Sequence, residues 1–212
     1  MIKAEPTSAS VLPEEHSSKR RQILEGARKV FMDLGFDGAS MGEIARAAGV
    51  SKGTLYVYFA DKCRLFEAIV QEETVVWGKT AFQFDRTRAV ADNLAGFGEA
   101  YLAMVCRPGG GSAIRTVMAI AERMPEIGRR YYERALEGTI NCLAAYLEDC
   151  VAAGKLSIDD CRLAASQFHL TCQATLFLPF IFQAAQPPLP ERIREVVASA
   201  VTMFLAAYGV TR

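Results

Sequence analysis

Apolar residues return every three or four positions through most of the chain, the period of a helix with one buried face. Ile23, Ala27, Val30, Phe31 and Leu34 keep this spacing. They predict a first helix capped by Ser17 or Ser18, running to Leu34 and closed by Gly35. The stretch SMGE (40–43) has the form of a capping box, with Ser40 and Glu43 each accepting from the other's amide. A helix of about two turns should follow it, with Ile44, Ala45 and Ala48 facing inward. Gly49 is then free to take a positive φ and turn the chain sharply. Ser51 caps a helix over Lys52 to Tyr58, and Asp61 caps a long one through Phe66, Ile69 and Val70 and past Trp77.

From about residue 86 the pattern predicts helices over 88–106, 112–123, 125–153, 159–185 and 190–208. Pro125 suits a first turn, while RPGGGS (107–112), Gly154 and QPPLP (186–190) are breaks. No alternating strand pattern and no internal repeat is present. The expected fold class is all-α. Residues 1–16, rich in Pro, Ser and Glu without periodicity, are expected to be a flexible arm.

Composition narrows the chemistry. Half the residues are apolar, enough for a sizeable core, and the 24 basic residues balance 24 acidic ones. The balance is uneven: up to Arg64 there are 10 Lys plus Arg against 8 Asp plus Glu, a weakly basic head on a weakly acidic body. The six cysteines include no C-x-x-C pair, and Cys142 and Cys150 lie roughly 12 Å apart along one helix, too far for a disulfide. Free thiols in a reducing compartment are expected, with a thiol redox sensor as the alternative. The only histidines are His16, in the arm, and His169, read as a satisfied buried or interface histidine, so no metal site is expected. No phosphate loop, paired catalytic carboxylates or nucleophile–base pair stands out, so neither an enzyme nor a cofactor is expected. The most apolar run, ATLFLPFIF (174–182), is too short to span a bilayer, and Met1 to Ser18 lacks an apolar core; a soluble, cytoplasmic protein is expected.

Two short helices joined by a tight glycine turn form a helix-turn-helix pattern. On the second, Leu55 and Phe59 share one face, about 40° apart, while Gly53 and Val57 fall opposite, with Thr54 and Tyr56 on the flanks. The outward face is small and smooth in its middle. Gly53 would let backbone approach base edges, and Val57 would suit a thymine methyl. Lys52 and Thr54 lie at the helix start, which such helices present to the groove. The tyrosine hydroxyls and Lys62 suit phosphates.

The stretch GASMGEIARAAGVSKGTLYVYFADKCRLFEAIV resembles the DNA-binding domain of the TetR family of transcriptional repressors. The resemblance implies a three-helix DNA-binding domain over 17–70 and a helical ligand-binding and dimerisation domain over 71–212. It also implies DNA contacts from Ser40, Ser51, Lys52, Gly53, Thr54, Tyr56, Val57, Tyr58 and Lys62. Met41 departs from the commoner polar residue at its position and is left out. AIAERMPEIGRRYYERA (119–135) and the final helix resemble the C-terminal domain of AefR-like or multidrug-efflux regulators, which implies a dimer and a small-molecule pocket.

Two patterns agree with that implication. Ala164, Ala165, Phe168, Cys172, Leu176 and Phe180 in 159–185, and Val196, Val197, Ala200, Val201, Phe204 and Ala207 in the last helix, give apolar cover wider than one core stripe. Both helices are therefore expected to face a partner in a four-helix seam, with Phe204 in it. Trp77, Phe97, Tyr101, Met104, Met118, Tyr132, Phe168 and Cys172 are candidate pocket residues, being aromatic or adaptable. The expected function is a homodimeric repressor that reads palindromic double-stranded DNA and is released by a small apolar or amphipathic effector. A ligand-independent regulator or an activator is the alternative.

Overall fold

The computed structural model describes residues 13–78, 82–108 and 110–210. Its elements are α1 (Pro13–Gly38), α2 (Met41–Ala47), α3 (Lys52–Tyr58), α4 (Lys62–Gly78), α5 (Val90–Val105), α6 (Gly111–Ile120), α7 (Pro125–Tyr131), a π-helical turn (Tyr132–Glu137), α8 (Gly138–Ala152), α9 (Cys161–Gln173), α10 (Phe177–Ile181) and α11 (Pro190–Tyr208). The protein is all-α: among the described residues the only β pairing is an isolated bridge between Leu156 and Gly209. The chain divides into two compact units, one up to Ile69 and one from Val70.

In the first unit, Ile23, Leu24, Ala27, Val30 and Phe31 of α1 are buried. Two expectations for this helix are corrected. It is already helical at Pro13, so Ser17 and Ser18 do not cap it, and residues 1–12 of the expected arm lie outside the described residues. Leu34 is exposed, and Gly35, at φ 70° and ψ 175°, breaks the helical geometry directly after it. The break lets Phe36 take the inward place. It packs against Phe31 and Phe66 with ring centroids 5.6 Å away in both cases.

The second unit buries a core shared by α5, α8, α9 and α11. Gly98 lets α5 come close: a Cβ there would stand 2.8 Å from Val197 Cγ1 and 3.0 Å from Cys172 Sγ. The predicted helix 125–153 is one helical run interrupted by the π turn. The predicted helix 159–185 is not continuous. It stops at Gln173, Thr175 takes φ 64°, and α10 starts at Phe177. Pro179 accounts for the break. In an unbroken helix its missing N–H would cost a bond to Thr175 and its ring would clash there, whereas in the first turn of α10 no N–H is needed.

The expected seam residues are mostly interior to the protomer. Ala164, Ala165, Phe168, Cys172, Leu176 and Phe180 are buried in this core, as are Val197, Ala200, Val201 and Phe204. Phe204 packs on Phe168 at 5.3 Å and on Tyr208 at 4.9 Å. Large apolar residues left exposed on α9 and α11 are Leu163, Leu170 and Met203, with Ala206 and Ala207 exposed beside Met203.

Candidate nucleic-acid interface

The two helices of the turn motif begin on side-chain caps. Ser40 Oγ accepts from the Glu43 amide at 3.2 Å, and Glu43 Oε2 accepts from the Ser40 amide at 2.9 Å. The Ser40 hydroxyl, which donates to Glu43 Oε2 at 2.7 Å, and then the Ser40 amide hold the Glu43 carboxyl below its ordinary range. Ser51 Oγ accepts from the Thr54 amide at 3.0 Å and lies 2.8 Å from Thr54 Oγ1. Gly49 turns the chain at φ 63°. Asp61 Oδ1 accepts from the Arg64 amide at 2.8 Å and so starts α4.

α1 clamps the turn from behind. Gln22 Nε2 donates to the Ala48 carbonyl at 2.6 Å. One turn further on, Gly26 lies so near that a Cβ would stand 2.6 Å from both Ala48 N and Ala48 Cα. Leu55 of α3 and Phe59 just after it are buried, and Arg20 covers the Phe59 ring at 5.6 Å. Lys52, Gly53, Tyr56 and Val57 are exposed, Val57 at 76%, while Thr54 and Tyr58 are half-buried. The Lys52 stem lies across the start of α2, where a Cβ on Gly42 would meet its Cε at 2.9 Å. Ser40 and Ser51 are exposed at the starts of their helices. α3 thus presents one smooth outward face held on a rigid support.

Lys62 is placed differently from the phosphate contact expected of it. Its Nζ donates to the carbonyls of Phe36, Asp37 and Ala39 at 2.9, 3.3 and 3.2 Å, and stands 4.8 Å from the Phe36 ring centroid. All three ammonium protons are engaged inside the protein. The side chain closes the end of α1 and fixes the peptide leading into Ser40.

The candidate pocket residues do not all come together. Phe97, Tyr101, Phe168 and Cys172 share the buried core of the second unit, and Met104 packs half-buried against it. Met118 is 64% exposed and Tyr132 50%, so neither side chain lies in this buried core. Each sits one residue, about 100° of helix, from the inward position that its neighbour Val117 or Tyr131 occupies. The Trp77 side chain lies outside the described residues. Two polar residues join Tyr101 in this interior. Gln173 Nε2 donates to Tyr101 Oη at 2.8 Å, and the His169 ring lies 4.3 Å from that of Tyr101. His169 and Gln173 sit four residues apart on α9, each beside a core residue, Phe168 or Cys172. That spacing was the available signal for them.

Burial lowers the His169 pKa to about 4. It raises Cys172 to about 12 and Cys106 to about 11, and pushes Cys63, Cys142 and Cys161 upward too. These five thiols are held protonated, the opposite of the low-pKa setting that a reactive sensor thiol needs. Among the described residues no cluster of His, Cys, Asp or Glu has the makings of a metal site, and no helix is long and apolar enough to cross a membrane.

A capped helix-turn-helix followed by an all-helical body defines a class of DNA-reading regulators. Residues 23–69 match the description "Bacterial regulatory proteins, tetR family", and residues 92–210 match "AefR-like transcriptional repressor, C-terminal domain". The chain belongs to the TetR family, a family of transcriptional regulators and not of enzymes. It is 32% identical over 128 residues to the HTH-type transcriptional repressor Rv1474c of Mycobacterium tuberculosis, covering 58% of this chain and 63% of that one. The chain therefore spans less than two thirds of that relative's length. Among solved structures it is similar to a TetR-family regulator from Mesorhizobium loti (TM-score 0.82, 27% identity, 92% of this chain and 98% of that one). It is also similar to the flavonoid-responsive regulator FrrA (TM-score 0.78, 29% identity, 92% and 100%).

Proposed function

We propose that this chain is a sequence-specific transcriptional repressor that binds palindromic double-stranded DNA as a homodimer and is released by a small apolar or amphipathic effector. The observation that carries this reading is the outward face of α3. Val57 and Gly53 are bare at its centre, with Lys52 and Ser51 at its start and Tyr56 and Tyr58 at its edges. Ser51 offers a hydroxyl at the start of α3, whereas the Ser40 hydroxyl is held by Glu43, to whose Oε2 it donates at 2.7 Å, so a phosphate at Ser40 would have to displace that bond. Thr54 and Lys52 reach toward base edges or phosphate, and Val57 toward a thymine methyl. Rv1474c is named a repressor, which supports the sign of the effect, and FrrA is named for its response to flavonoids, which supports an effector of flat, aromatic character.

Selection of bound sequences from random DNA tests the reading. It should return an enriched palindrome with half-site centres about 34–36 Å apart, one helical turn. An unenriched pool would sink it.

Lys62 acts in this scheme as a positioning residue. Lys62→Met keeps the stem but loses the three carbonyl bonds, which are charge-assisted and worth about 1.5–3 kcal/mol each at most. Operator affinity should fall because the Ser40 end of α2 loosens. The slope of log affinity against log salt should stay unchanged. A slope lowered by about one unit would instead mark a direct phosphate contact.

A further inference from the structure

The interior of the second unit is mostly apolar, and its buried polar side chains differ in how they are partnered. Asn93 and Thr139 are satisfied by backbone: Asn93 exchanges bonds with Asp85 at 2.9 and 2.8 Å, and Thr139 donates to the Ala135 carbonyl at 2.8 Å. Tyr101 and His169 are different. They are 3% and 2% exposed, and a single amide serves both. Gln173 Nε2 lies 2.8 Å from Tyr101 Oη, 3.3 Å from His169 Nδ1 and 3.5 Å from His169 Nε2.

By distance every buried side-chain nitrogen and oxygen among the described residues has a neighbour to bond. By valence they do not. A neutral imidazole has one N–H donor and one acceptor nitrogen. An amide NH2 satisfies only the acceptor, which leaves the His169 N–H without a partner. Turning the amide over puts its oxygen there and satisfies the N–H, but then the other ring nitrogen is bare. Tyr101 follows the same logic. Its oxygen accepts from the amide while its own proton has no acceptor, or it donates while its lone pairs stay empty. Two buried polar groups thus each keep one open valence, with their rings 4.3 Å apart. Open valences of this kind are costly in a core, and one group that both donates and accepts would close them.

We infer that Tyr101, His169 and Gln173 are the polar end of the effector site, and that this end takes an uncharged hydroxyl, such as a phenol, carried on a flat apolar body. The inference rests on the effector reading above. It adds the chemistry of the ligand. Phe97 and Phe168, 6.3 Å apart between ring centroids, supply aromatic surface in the same core, and Cys172 lies among them. The ionisable groups that act on Tyr101 are Tyr131, Cys106 and Cys172. Burial holds both thiols protonated, and none of the three groups is a cation. His169 is neutral as well, since burial holds its pKa at about 4. A carboxylate at this end would meet no compensating cation from these groups. Gln173, half-buried in the last turn of α9, is the member of the trio nearest to solvent.

Three probes with one body separate the terms: 4-phenylphenol, biphenyl and biphenyl-4-carboxylate. Their dissociation constants are measured by calorimetry at pH 7.5 on the full chain and on the Gln173→Leu and His169→Phe variants. Circular dichroism checks that each variant is folded, and Gln173→Leu, at a half-buried position, keeps the test alive if His169→Phe does not fold. The phenol should bind the parent chain about tenfold or more tighter than the other two, the gain of a well-placed buried hydrogen bond. In Gln173→Leu that preference should collapse while biphenyl still binds. A hydroxyl preference that survives in the variants, or a carboxylate that binds as tightly as the phenol, overturns the polar end while leaving the effector reading in place. Failure of all three probes to bind the parent chain overturns the apolar effector site itself.

Discussion

Gly26→Ala should cripple the DNA-binding head, although alanine is the better helix former. In an exposed helix interior this exchange stabilises by about 1 kcal/mol. At Gly26 the new methyl would stand 2.6 Å from Ala48 N and Cα and 2.7 Å from Ala48 Cβ. Two of those three atoms are backbone and cannot swing aside. Either α1 or the turn must move, at the cost of overpacking, about 1–3 kcal/mol or more. Movement also strains the 2.6 Å bond from Gln22 to the Ala48 carbonyl one turn away. The clash outweighs the propensity gain, and the turn that aims α3 is what shifts. The head should therefore melt at lower temperature and operator affinity should drop by at least about tenfold. Gly96→Ala is the matched control. It lies in α5 with open space around its missing Cβ, and should raise stability by about 1 kcal/mol. Thermal unfolding and operator titration of both variants decide the matter. A Gly26→Ala variant as stable and as tight-binding as the parent would show that α1 does not set the turn.

What was legible in the sequence was local. Ser40 and Glu43, Gly49, Ser51 and Asp61 each act on a neighbour within four residues, and each cap or turn stands where the pattern put it. Effects that reach across the fold were not legible. Lys62 meets carbonyls 23 to 26 positions away, so its composition suggested phosphate while its geometry makes it a clamp. Leu34 matched the helical period, but Gly35 broke the period and Phe36 took the inward place. On α11 two apolar faces exist, and periodicity does not say which faces the protomer's own core. Phe204 went inward and Met203, its neighbour, outward. Tyr131 and Tyr132 divide in the same way at the start of the π turn. His169 was readable as buried, but its shortage of partners depends on Tyr101 arriving from α5 to share the one amide, Gln173, that lies four residues on along α9.

The Phe204–Met203 division decides how the proposed dimer is tested. Phe204→Asp is the wrong probe: its ring is buried against Phe168 and Tyr208, so a charge there unfolds the protomer whatever the partner does. Met203 and Leu170 are 56% and 61% exposed in the single chain. Met203→Glu and Leu170→Glu should leave protomer folding within about 0.5 kcal/mol of the parent, as ordinary surface changes do. From Ala198 to Val210 the chain carries no charged residue, while Glu191, Arg192, Arg194 and Glu195 crowd the first half of α11. The second half, with the exposed side of α9, is the surface proposed to meet its copy. In a two-fold seam each substitution occurs twice, and two carboxylates brought together must be desolvated or stay protonated, at a cost of several kcal/mol. Sedimentation at micromolar concentration should show the dimer lost in both variants, with far-ultraviolet circular dichroism unchanged. Operator affinity should fall with it by about 10²–10⁴-fold, since a monomer forfeits the linked second half-site. A folded variant that remains fully dimeric would place the seam elsewhere. One that becomes monomeric yet binds operator as tightly as before would refute the requirement for two heads.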